Sequence, residues 1–69
     1  MNLEQFKFKK SLRIGFEEEA KQPTGKDCFV EIFKNKGTYT FVKTKHNVKG
    51  NPLFFPSKVK LEDYLKRKV

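Results

Sequence analysis

Histidine is the side chain that ordinarily titrates between pH 5 and 8, and this sequence holds one, His46, directly after Lys43-Thr44-Lys45. A histidine beside lysines is part of the equipment of a ribonuclease. The ring would move a proton while an ammonium stabilised a phosphorane. Acid–base cleavage also needs a second titrating group, and no other histidine or nearby carboxylate supplies one. His46 therefore reads as an exposed loop residue that at most touches phosphate. A ribonuclease toxin would arrest growth when expressed, and His46→Ala would relieve the arrest. Cys28 lies in the apolar run Cys28-Phe29-Val30. There a thiol behaves as a small hydrophobe, not as the partly exposed, base-assisted nucleophile that catalysis needs. One cysteine closes no internal disulfide, and with one histidine it makes no multi-ligand metal site. Thr24-Gly25-Lys26 resembles the end of a phosphate loop, but the upstream glycine and the following Ser or Thr are missing, so it reads as a turn. No catalytic residue, metal or cofactor is expected, and the chain does not read as an enzyme.

The chemistry the sequence does supply is positive charge. The formal net charge is +8 in 69 residues. Residues 1–33 balance six basic side chains against six acids, whereas residues 34–69 carry ten against Glu62 and Asp63 alone. The excess thus lies wholly in the second half, and no acid occurs between Glu31 and Glu62. Such self-repulsion opposes folding and points to an anionic partner, with solubility as the plainer alternative. The expected phosphate contacts are Lys34, Lys36, Lys43, Lys45, His46 and Lys49, extended by Lys7, Lys9 and Arg13 if the first strand's polar face lies on the same side. Fourteen of the sixteen basic residues are lysine. Lysine lacks the bidentate fork of arginine, which favours backbone contacts over base-edge reading.

Eight Phe and two Tyr add a second theme. A single sheet with one helix covers one face, so some aromatics must face away. Beside lysines these could stack unpaired bases, with Phe29, Phe33 and Tyr39 as the expected contacts, unless that face is buried in a homodimer or a curled sheet.

The elements that must position these residues follow from periodicity. Phe6, Phe8, Leu12, Ile14 and Phe16 alternate with polar residues, which predicts a long strand over residues 6–16 bent near Lys10 or Gly15. Glu17 to Lys26 reads as a solvated acidic loop ending in Gln22-Pro23-Thr24-Gly25. Asp27 to Lys34 is apolar on both faces and reads as a central strand. Asn35-Lys36-Gly37 predicts a three-to-five-residue hairpin with Gly37 at positive φ. In Thr38 to Lys45, Tyr39, Phe41, Lys43 and Lys45 share a face, buried at its start and in solvent at its finish. Leu53-Phe54-Phe55 is a short strand closed by Pro56. Ser57 can cap a helix over about residues 58–68, with Leu61, Tyr64, Leu65 and Lys68 on one stripe, early acids and late bases; Val59 and Leu61 could instead finish a strand.

The expectation is one small basic domain spanning residues 1–69. Its class is α+β, a small antiparallel β-sheet of three to four strands (a meander) with one C-terminal α-helix packed on one face. No apolar run approaches the roughly 20 residues that cross a bilayer, and Met1 to Lys10 lacks the apolar centre of a signal peptide. No membrane role is expected, and the location reads as cytoplasmic. A homodimer fits the thin core.

The order of strands then C-terminal helix, with a basic sheet, is similar to the single-stranded-DNA-binding transcriptional coactivator family. It is also similar to the three-stranded-sheet-plus-helix DNA-binding domain that opens some transposon and phage integrases. Both are resemblances of element order, and they imply no site residue. The reading is a non-catalytic nucleic-acid-binding protein, for DNA or RNA, that contacts the phosphate backbone through a lysine-rich sheet and hairpin surface. The alternative is a small inhibitor or adaptor of the phage or mobile-element kind, anchored by Tyr39, Phe54 and Phe55 on an acidic protein partner.

Overall fold

The computed structural model describes residues 3–68. After a 3-10 turn at Leu3–Gln5 come strands β1 (Lys9–Lys10), β2 (Glu18–Gly25), β3 (Cys28–Asn35), β4 (Thr38–Lys45), β5 (Val48–Lys49) and β6 (Leu53–Phe55), then helix α1 (Lys58–Lys68). Every pairing is antiparallel, in the order β1-β2-β3-β4-β5, and β6 also pairs with β4. β5 and β6 are two halves of one edge strand broken by a bulge. Lys49 lies opposite Thr44 but Leu53 lies opposite Phe41, so one residue is gained between them. At the break the Gly50 amide donates to the Lys43 carbonyl at 2.8 Å. A Cβ at Gly50 would stand 2.9 Å from that oxygen, so close approach is what demands glycine here. The class and the meander are as the sequence predicts, with five to six strands where three to four were expected.

Two-residue turns join the central strands. Asn35 pairs with Thr38, leaving Lys36 and Gly37 at φ 49° and 82°. Positive φ at both positions is what a type I′ turn requires, and its twist matches the strands. The turn is thus tighter than the sequence suggested. His46 and Asn47 repeat the pattern between β4 and β5, at φ 51° and 65°.

Pairing aligns Ala20, Ile32, Phe41 and Leu53 on one face. α1 lies over that face, with Leu61 and Leu65 buried against Val30, Ile32, Tyr39 and Phe41. Leu3 and Phe6 complete the core, flanked by Phe8, Phe55 and Tyr64. Each of the large aliphatic side chains contributes about 1.5–3 kcal/mol by leaving water. Pro56 ends β6, and the Lys60 amide donates to Ser57 Oγ at 3.4 Å, a long capping contact. Val59 points outward while Leu61 is fully buried, which settles the segment as helix. The first turn of α1 carries no acid, so the expected dipole match fails at that end. The Lys68 side chain and Val69 lie outside the described residues, as do Met1 and Asn2 at the start of the segment read for a signal peptide.

Two expectations are corrected. The strand over residues 6–16 shrinks to Lys9–Lys10. Phe6 and Phe8 pack under the helix, while Leu12 and Ile14 stand fully in solvent, so their alternation never met a partner strand. The acidic loop is instead β2, paired with β3 from Glu18 to Gly25. Glu17, just before it, and Glu18 and Glu19, which open it, have different partners. The Lys36 amide donates to Glu17 Oε1 at 2.7 Å, Glu18 lies 3.4 Å from the Lys34 ammonium, and Ser11 Oγ donates to Glu19 Oε1 at 2.7 Å. Pro23 is tolerated because β1 pairs β2 only at Glu18 and Glu19, which leaves the rest of β2 an edge.

Candidate nucleic-acid interface

The meander sends successive turns to opposite ends of the sheet. Lys36-Gly37 lies at one end with Glu17, Glu18 and Lys34, near Lys58 and Glu62 at the start of α1. Lys26-Asp27 and His46-Asn47 lie at the other, joined by the Asn47 amide donating to the Asp27 carbonyl at 3.3 Å. The length of β4 separates the ends by roughly 23 Å. The predicted phosphate contacts therefore do not form one patch. Lys34 and Lys36 sit among acids at the first end. Lys43, Lys45, His46 and Lys49 gather at the second, where all four are exposed.

At this second end Lys43, Lys45, His46 and Val48 border an open depression of about 510 Å³ on the α1 side of the sheet. Lys49, opposite Thr44, projects from the other side. Lys26 in the neighbouring turn adds a fifth basic residue that sequence reasoning left out, and Asp27 is the acid nearest it in the chain. Among the described residues, Lys43, Lys45 and Lys49 join no ion pair. Tight turns thus hold the cations on both faces of a single sheet end.

Lys7, Lys9 and Arg13 do not extend this patch as one strand face. Lys9 pairs with Glu19 at the acidic end, and Lys7 is exposed beside the core segment. Arg13 comes from the loop after β1, which folds over the sheet face away from α1. There its guanidinium lies 4.8 Å from the Phe33 ring centre, and Phe16 lies 5.1 Å from the same ring. Lys21 Nζ lies 4.0 Å from the centre of Phe29 on the same face. Phe29 and Phe33 thus occupy the expected face, but Phe33 is covered by Phe16 and Arg13. Tyr39 is corrected: at 7% exposure it belongs to the core and offers no ring to a ligand. Phe54, 74% exposed on the face away from α1, is the aromatic that the stacking argument missed. The signal was present, because adjacent Phe54 and Phe55 in a strand must face opposite ways.

The chain matches no protein-family model, no curated protein and no solved structure. No helix of the described residues is long and apolar enough to cross a membrane.

Proposed function

We propose that the chain is a non-catalytic nucleic-acid-binding protein that grips the phosphate backbone with its basic sheet end, working in the cytoplasm. The observation that carries this reading is the gathering of Lys26, Lys43, Lys45 and Lys49 at two adjoining turns, away from the acids that neutralise the opposite end. Lysines on both faces of one edge suit a flexible strand that wraps it. They neutralise phosphates and release condensed counterions, so binding weakens with salt and tolerates sequence. With four phosphates engaged, log K against log salt falls with a slope of about −2.8 for a single strand and about −3.6 for a duplex. Fluorescence anisotropy at two salt concentrations measures this directly. Lys43→Glu combined with Lys45→Glu weakens binding of every oligonucleotide by tenfold or more, on the order expected for two lost phosphate contacts. Unchanged affinity in that variant removes the assignment.

The adaptor reading draws on a separate observation, the full exposure of Leu12 and Ile14 on the loop after β1. It predicts a stoichiometric protein partner whose capture survives nuclease treatment and is lost on Leu12→Ser with Ile14→Ser.

A further inference from the structure

The sheet face away from α1 carries a trough of about 400 Å³. Its floor is Val42 and Phe33, its walls are Phe16, Phe54 and Pro52, and Arg13 and Lys49 stand at its margin. We infer that this trough takes an unpaired base of a single-stranded nucleic acid, stacked on Phe54, with Arg13 and Lys49 receiving the adjoining phosphates.

Three features select this occupant. Two of the walls, Phe16 and Phe54, are aromatic, and every base has a π-face that such rings accept without regard to sequence. Phe54 leaves most of its ring in water although Phe55 beside it is half-buried and Phe33 across the sheet is buried. The two margin groups are both cations. An apolar peptide would leave them unpaired, whereas a nucleotide brings a negative charge on either side of its base. Lys49 also belongs to the basic end, so a strand held there by phosphate runs straight onto the trough. The bulge at Gly50 makes this continuity: without the extra residue, Phe54 would turn to the α1 face. A duplex, whose bases are stacked inside, cannot fill the trough.

This inference rests on the phosphate-binding reading above, and the experiment separates the two. Anisotropy is measured with a 15-nucleotide dT oligonucleotide, the matching U oligonucleotide, and an abasic oligonucleotide of equal length and charge. The expected result is that the wild type binds dT and U roughly tenfold more tightly than the abasic strand, the scale of one stacked base. Phe54→Ala should abolish that preference while leaving abasic affinity and the salt slope unchanged. Phe54 is exposed, so the variant keeps its core, and circular dichroism checks this. Equal wild-type affinity for dT, U and abasic strands overturns the trough and leaves the basic end standing. No binding to any of the three removes both. A wild-type dimer in light scattering that Phe54→Ala dissociates overturns the inference in favour of a second copy.

Discussion

At the Lys36-Gly37 end of the sheet, Glu18 lies 3.4 Å from the Lys34 ammonium and a Glu17 carboxylate holds the turn's first amide. At the Lys26 and His46-Asn47 end, the same fold presents Lys26, Lys43, Lys45 and Lys49 with no carboxylate ion pair among the described residues. The two ends are built from the same strands and turned by the same kind of left-handed residues, so geometry does not explain the difference. The acids do. Glu17, Glu18 and Glu19 are consecutive, the last two open β2, and all three therefore lie at one end. The lysines of β4 and β5 fall where β2 has already run out of acid. One end is therefore closed electrostatically, and at the other the lysines join no ion pair among the described residues.

The largest effect on this contrast comes from Gly50→Ala. A methyl group 2.9 Å from the Lys43 carbonyl forces the bulge to shift, which costs about 1–3 kcal/mol. Urea unfolding should show the loss. Oligonucleotide affinity should fall too, because β5 carries Lys49 away from the patch. A variant with wild-type stability would mean that the edge strand is not held as described. Next comes the matched neutralisation of each end. Lys43→Gln with Lys45→Gln should weaken anisotropy-detected binding roughly tenfold and flatten the salt slope by about 2. Lys34→Gln with Lys36→Gln removes equal charge and should change affinity less than threefold. Equal losses from both pairs would show that net charge alone drives binding.

A third effect is confined to the closed end. Glu17→Gln keeps the shape but weakens the acceptor of the Lys36 amide, and should lower stability by about 1 kcal/mol in urea without altering oligonucleotide affinity. A loss of affinity would place the acidic end in the interface after all.

The contrast was half legible in the sequence. β3, β4 and α1 stand where periodicity, Gly37 and Ser57 put them, because each buries its own apolar pattern, and β6 stands where Pro56 ends it, although only Phe55 of its three residues is half-buried. β2 was hidden because Ala20 is its one buried residue and Pro23 argues against a strand. Its place is set by β3, whose edge it pairs and whose Lys34 and Phe29 meet Glu18 and Lys21. Strand preference is a property of such neighbours more than of the residue itself. Residues 6–16 show the reverse, a strand pattern that forms almost no strand. Alternation there was genuine, but two phenylalanines found the helix and two aliphatics found water. For the site, the lysine surplus was visible but its division between two ends was not. That division depends on which turns are tight and on the glutamates having partners.

The smallest effect probes the tip of the open end. His46 is held at φ 51°, where a side chain costs about 1 kcal/mol relative to the right-handed region. Glycine removes that strain but adds roughly 0.5–1 kcal/mol of backbone entropy to the unfolded chain. His46→Gly should therefore leave stability within about 0.5 kcal/mol of wild type, on the favourable side, as read from the urea midpoint. If the lysines carry the phosphate contact and His46 only touches it, affinity for the dT oligonucleotide changes less than twofold. The same variant separates binding from cleavage. A strand-cutting activity in wild type that disappears with His46→Gly, at unchanged affinity, would turn the open end from a grip into an active site. Intact oligonucleotide after prolonged incubation with both proteins keeps it a grip.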